Sequence, residues 1–166
     1  EQRERMQDFV PTEYNNIDID EDGFLYVTSS TVSAEDIRNA INTRSQDDRV
    51  APIRKLNPTG EDILRRYGYY PPVGDILFRS RGYAESGNSQ FVDVCIEQYG
   101  IYSVLDKRKG RIFTYDSDGN LLYIFGGLGN RLGTFRNPVS IDIINNNYII
   151  LDSITGDITV FEPTEY

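Results

Sequence analysis

The chain repeats itself at a spacing of 46 residues: Tyr102, Asp106, Gly110, Ile112 and Tyr115 recur in register at Tyr148, Asp152, Gly156, Ile158 and Phe161. Five matches in one register are not a chance alignment, and the matched segments are rich in β-branched and aromatic residues with no helical period. A repeat of this length made only of strands specifies sheets arrayed around an axis. One small antiparallel sheet cannot bury its own apolar faces, so neighbouring copies must cover them.

One unit is complete between residues 101 and 138. Residues 101–106 are β-rich, 107–110 form a polar break and 111–115 alternate in character. Asp116, Ser117, Asp118 and Gly119 make a hairpin turn, residues 121–125 are apolar again, and a glycine-rich connector over 126–137 ends on Pro138. The stretch Tyr102-Ser103-Val104-Leu105-Asp106, the strand Arg111-Ile112-Phe113-Thr114-Tyr115, the Asp118-Gly119 turn and the run from Gly126 through Phe135 to Pro138 together resemble the blade of the NHL-repeat β-propellers. The resemblance is close over 91–161, looser over 9–67 and absent from 30–50. It implies an all-β fold of consecutive four-stranded antiparallel blades, six in the complete protein, of which this chain holds an arc of about two and a half to three. The arc reads as a single domain over 1–166, with blade 1 at about 9–67, an insertion loop at 67–90, blade 2 at about 91–126 and a partial blade 3 at about 138–161.

Blade 1 departs from the repeat through insertions. Phe9-Val10-Pro11 echoes the approach to Pro138, and strands around Asp18 and Tyr26 flank an Asp22-Gly23 turn. Aligning Tyr26 with Tyr102 leaves about thirty residues beyond one period, which must be inserted. The first insertion is a short helix at 33–43. Ser33 and Asp36 form a capping-box pattern, while Ile37, Ala40 and Ile41 make a narrow apolar stripe suited to a surface helix that covers a blade edge or carries a partner. Blade 1 then resumes, with Ile63-Leu64 expected to begin its outermost strand. The second insertion holds Tyr67, Tyr69 and Tyr70 beside Pro71 and Pro72, with Arg79 and Arg81 further on as cation–π partners. Prolines suppress helix there, and clustered tyrosines give flat surfaces with hydroxyl handles that suit either binding or capping of a blade edge.

Charge and residue types narrow the function. With 17 basic against 26 acidic residues the net charge is -9, which argues against nonspecific binding to nucleic acid or to an anionic membrane surface and favours cationic or neutral partners. The chain has no histidine, so no Ser-His-Asp or Cys-His nucleophile, histidine base or HExxH zinc site can be built from it. Cys95 is the single cysteine, with no internal disulfide to make, and reads as a small buried hydrophobe. No apolar run approaches the ~20 residues of a membrane span, so direct membrane insertion is not expected. The first residue is Glu1 rather than methionine, and the chain reads as part of a longer one, with a lean to an extracellular or cell-surface setting.

Several patterns resemble chemistry. Asp20-Glu21-Asp22-Gly23 and Asp116-Ser117-Asp118-Gly119 begin like calcium loops, but Ser29 and Phe125 stand where the bidentate glutamate belongs, leaving hairpin turns. Gly127, Gly129 and Gly133 suggest a phosphate cradle, yet they join strand to strand with no helix N-terminus. Asp106 and Asp152 are expected to cap backbone amides of the turns that follow them, or else to be blade-end carboxylates of the kind used by metal-dependent lactonases and esterases on similar propellers. No catalytic residue, metal site or cofactor is assigned. The resulting expectation is a noncatalytic binding or scaffold module whose loops meet a protein or glycan, with Tyr67, Tyr69, Tyr70, Arg131 and Arg136 as contact residues. The alternative is a fragment of a metal-assisted propeller hydrolase whose active site is completed outside this chain. An arc of three blades leaves two faces uncovered, which either a homodimer closing the propeller or the insertions of blade 1 must cover.

Overall fold

A computed structural model describes residues 14–29, 33–44, 51–66, 72–75 and 87–164. The described chain is all-β apart from one α-helix and a single 3₁₀ turn, and its strands form three antiparallel sheets. The first sheet holds β1 (Asn16–Ile19), β2 (Leu25–Thr28) and β3 (Ile53–Leu56). The second holds β4 (Phe91–Ile96), β5 (Tyr102–Asp106), β6 (Arg111–Tyr115) and β7 (Leu121–Gly126), and the third holds β8 (Pro138–Ile144), β9 (Asn147–Asp152) and β10 (Ile158–Phe161). Each is a meander in chain order, as hairpin connections require.

The repeat seen in the sequence is a repeat of register. Tyr102 faces Tyr115 and Leu105 faces Ile112 in the second sheet, just as Tyr148 faces Phe161 and Leu151 faces Ile158 in the third. The first strands of these sheets also match, each with a bulge near its start, but Asp93 aligns with Ser140 and not with Asp142. The step arises because the β8–β9 turn is one residue shorter. Asn145 and Asn146 close it with φ of 50° and 64°, a left-handed pair that asparagine tolerates better than most residues.

The first sheet shows what a one-residue slip does. Its opening hairpin closes on the Asp20 amide bonded to the Phe24 carbonyl at 3.0 Å, as the second sheet's closes on Glu97 and Ile101 at 2.7 Å. Tyr26 therefore corresponds to Ser103 and not to Tyr102, and its side chain lies on the opposite face from the one that alignment implied. It packs onto the second sheet, with its ring 5.6 Å from that of Tyr102. The expected strand at Ile63-Leu64 is also absent. The Asp62 carboxylate takes the Lys55 and Leu64 amides at 3.1 and 3.0 Å, so a side chain completes the edge and only an isolated bridge between Leu56 and Asp62 forms.

Helix α1 (Ala34–Asn42) lies between β2 and β3, where the capping pattern put it. Ser33 Oγ accepts the Asp36 amide at 3.1 Å, while the Asp36 carboxylate takes the Ser33 hydroxyl rather than its backbone amide. Ile37 and Ala40 are buried, Ile41 is half-buried, and the polar residues between them are exposed.

Two cores join the three sheets. Tyr26 and Ile53 pack with Val94, Tyr102, Val104, Phe113 and Tyr115 between the first and second sheets. Cys95, Leu105 and Ile112 pack with Phe135, Ile141, Tyr148 and Ile150 between the second and third. Phe125, Phe161 and Phe135 extend this second core as a chain of tilted rings with centroids 5.0 and 6.0 Å apart. Among the described residues no helix is long and apolar enough to cross a membrane.

Candidate functional site

β1, β4 and β8 each stand at the end of their sheet, so each has one edge with no strand beside it. Backbone amides along such an edge need other acceptors. Side chains supply them. The Ile17 amide donates to Asn16, Ile19 to Asp18, Val94 to Asp93 and Ile143 to Asp142, all at 2.8 Å. Asp93 reaches further: its second oxygen takes the Ile141 amide of β8 at 2.7 Å and the Ser140 hydroxyl at 3.1 Å. Asp18 likewise lies against the Ile96 amide of β4. This is the physical reason for the alternation of Asx and apolar residues in Asn16-Ile17-Asp18-Ile19-Asp20 and in the strands around Asp93 and Asp142. The carboxylates satisfy the free strand edges, while the apolar residues between them range from buried, as Val94 and Ile141 are, to exposed, as Ile17 and Ile19 are.

Burial pushes the Asp18 carboxyl up from its ordinary value, and repulsion from Asp142 adds to that against the Ile19 and Ile96 amides. Burial does the same to Asp93, with the Ile141 and Val94 amides and Ser140 opposing it and the Asp18 charge reinforcing it. These carboxylates crowd one another, and the backbone amides they accept offset part of the cost of burying them.

Where the first hairpins of the three sheets turn, they enclose a cleft of about 760 Å³. Asp18, Asp20, Glu21, Asp22, Glu97 and Asp142 line it, with Lys55 as the cation in the lining. Lys55 sits 3.3 Å from Asp20, with its ammonium 4.8 Å above the Phe24 ring and 5.2 Å above that of Tyr26. Burial pulls the Lys55 pKa down, but Tyr26 and Asp20 outweigh it and hold the ammonium charged. Of the lining residues, Glu97 is held from outside the cleft: the Tyr148 hydroxyl donates to it at 2.7 Å, accepts from Ser103 at 3.2 Å and meets the Tyr123 hydroxyl at 2.8 Å. Tyr99 stands at the rim, 89% exposed and at φ 63°. The cleft is thus acidic and concave, with an exposed aromatic ring beside it.

The carboxylates that resembled ligands elsewhere are engaged by backbone amides. Asp20 takes the Asp22 and Phe24 amides at 3.0 and 2.9 Å, and Asp116 takes those of Asp118 and Asn120 at 2.9 Å, so both acidic runs are hairpin turns. Asp106 accepts the Gln90 and Arg108 amides at 2.9 Å. Asp152 accepts those of Arg136, Asn137, Ile154 and Thr155 at 2.6 to 3.3 Å. Each ties its own turn to the connector that precedes its sheet, which is the capping role. Among the described residues no group of three or more Asp, Glu, Cys or His side chains is arranged to hold a metal ion.

Arg131 and Arg136 are both exposed on the connector between β7 and β8. Arg136 Nε donates to Asn130 at 2.9 Å, and the connector is drawn onto Asp152 through the Arg136 amide. That places them at the Pro138 end of β8, the opposite end from the cleft, which adjoins the β8–β9 turn. Tyr67, Tyr69 and Tyr70, with Arg79 and Arg81, lie outside the described residues. Sequence reasoning did not find the cleft, because its carboxylates come from three separate hairpins. Comparison with known proteins finds no family model and no curated protein that matches the chain.

Proposed function

We propose that the three sheets are consecutive blades of an NHL-like β-propeller, and that the chain is a noncatalytic binding module that recognises a protein segment bearing lysine or arginine. Supporting the blade reading are the shared register of successive sheets, the face-to-face cores between them and the adjacent first strands. The observation that carries the binding reading is the cleft itself, which six carboxylates from three sheets line together with Lys55 on a chain of net charge -9. Asp18, Asp20 and Asp142 are fixed by backbone amides and Glu97 by the Tyr148 hydroxyl, which suits an electrostatic surface held in place and not a mobile acid or base. Tyr99 offers a ring face to a cationic side chain at the rim.

Titration with a lysine- and arginine-rich peptide, followed by calorimetry at low and high salt, tests this. Binding should weaken with salt and fall further in Asp22→Lys, whose side chain is on the exposed hairpin. Equal affinity for an acidic peptide of the same length would overturn the reading.

A further inference from the structure

At the end of the second and third sheets opposite the cleft, the surface changes character. The β5–β6 turn, the connector from β7 to β8 and the β9–β10 turn share this end, since Arg111 pairs with both Asp106 and Gly126, and Pro138 pairs with Asp152. Lys107, Arg131 and Arg136 are exposed on these segments, and Arg111 is half-exposed. The acidic side chains beside them are largely engaged. Asp106 and Asp152 are buried on backbone amides, and Asp75 takes Lys109 and Arg111 at 2.7 and 3.2 Å, which leaves Asp157 as the exposed carboxylate on these turns. A chain of net charge -9 thus carries a cationic end.

Apolar side chains stand out from the same segments: Leu132 is 102% exposed, Ile154 62% and Leu128 36%. Their backbone is nonetheless fixed. The Phe135 amide donates to the Gly127 carbonyl at 2.8 Å and the Gly129 amide to the Phe135 carbonyl at 2.9 Å, while the Thr134 amide and hydroxyl both donate to the Arg131 carbonyl, at 3.0 and 2.6 Å. Phe135 anchors the connector in the second core. The Ile154 turn is tied to it by the Ser153 amide on the Asn137 carbonyl at 3.0 Å and by the Asn137 side-chain amide on Ser153 Oγ at 2.7 Å. A surface held this firmly loses little freedom when a partner settles on it. Three exposed aliphatic residues beside cations on linked segments are also more than the scattered single leucine of an ordinary surface.

We propose that this end is a second binding surface, separate from the cleft, for an acidic protein segment that also carries aliphatic side chains. Charge complementarity selects the acidic part. Arg136 is oriented by Asn130 through Nε, and its terminal nitrogens, like the whole Arg131 guanidinium, make no hydrogen bond among the described residues, so both can take a carboxylate. The aliphatic part selects a protein over a nucleic acid. Leu128, Leu132 and Ile154 gain nothing from a phosphate backbone, and among the described residues these turns expose no aromatic ring on which a base could stack. The residues differ from those of the cleft, so either surface can fail its test while the other stands.

Fluorescence anisotropy of a labelled peptide rich in glutamate and leucine, titrated with the 166-residue chain at low salt, tests the proposal. Leu132→Ser and Arg131→Ala change exposed side chains, and circular dichroism verifies that each variant is folded. Each should weaken binding about five- to tenfold. Leu122→Ser, at a leucine 47% exposed toward the far end of β7, should leave it within about twofold. A polyglutamate peptide lacking leucine should bind wild type at least about fivefold more weakly than the mixed peptide. Equal binding by wild type and Leu132→Ser would overturn the proposal, as would no saturation at about 1 mM of the chain. Polyglutamate or single-stranded RNA binding as tightly as the mixed peptide would also overturn it, and would make the surface one for bare polyanions.

Discussion

The second and third sheets are built on one sequence pattern and differ in how many neighbours they have. Leu105 and Leu151 occupy the same register position, as do Ile112 and Ile158, yet the first of each pair is fully buried and the second is open to solvent. Asp106 and Asp152 cap equivalent turns, yet burial raises the pKa of one while four amides lower that of the other. The pattern therefore specifies the strands and their pairing, and the neighbours decide what each residue contributes. A repeat protein of this kind holds a control experiment within itself, since the same substitution can be made at a covered and an uncovered copy of one position.

The largest contrast is expected at the leucines. Leu105→Ala removes a side chain with no exposed area from the core between the second and third sheets, and should destabilise by about 2–5 kcal/mol. Leu151→Ala acts on a partly exposed position and should cost less than about 1 kcal/mol. Urea midpoints of the two variants measure the difference. Equal losses would mean that the third sheet is covered in solution.

Next come the glycines that end the polar breaks. Gly110 and Gly156 both have positive φ, 64° and 72°, so alanine at either meets a backbone strain of about 1 kcal/mol. At Gly110 the added carbon would also lie 2.9 Å from the Gly127 carbonyl oxygen, whereas at Gly156 it meets nothing within 4 Å. Gly110→Ala should therefore be the worse of the pair by at least about 1 kcal/mol. Indistinguishable thermal midpoints would show that the connector at Gly127 yields freely, and that the second sheet is less confined than its burial implies.

These contrasts also show what the sequence could convey. Hairpins, the helix cap and the register of β5 with β6 and of β9 with β10 follow from local chemistry: Asp-Gly turns, Ser33 ahead of the helix, and alternating apolar residues. The placement of Tyr26 did not follow, because matching it with Tyr102 is the better residue match and only the closing pair of the hairpin reveals the one-residue step. The edge at Asp62 was missed for a similar reason, since a carboxylate that substitutes for a strand looks like an ordinary polar residue. The cleft is a third-order feature. Its carboxylates come from separate sheets, and nothing in the spacing of Asp18, Glu97 and Asp142 says that three hairpins meet.

The smallest expected difference lies in the response to pH at the two capping aspartates. Burial raises the Asp106 pKa, and the nearby Asp75 charge adds to it, against the Gln90 and Arg108 amides and the Ser89 hydroxyl. For Asp152 burial also pushes upward, but the amides of Arg136, Ile154, Thr155 and Asn137 outweigh it and the pKa falls below the ordinary value of 3.8. A carboxyl with a depressed folded-state pKa contributes stability above its unfolded value, and loses it as pH falls through the folded one. A raised carboxyl does the reverse, and its unfavourable contribution is relieved as pH falls toward the folded value. Asp152→Asn should therefore show its largest deficit at neutral pH, shrinking below about pH 4. Asp106→Asn keeps the oxygen that accepts the Gln90 and Arg108 amides while removing the buried charge. Its stability relative to wild type should be most favourable at neutral pH and decline as wild-type Asp106 protonates. Denaturant midpoints of both variants between pH 3 and 7 decide it, and parallel profiles would mean that the two turns experience the same surroundings despite their different neighbours.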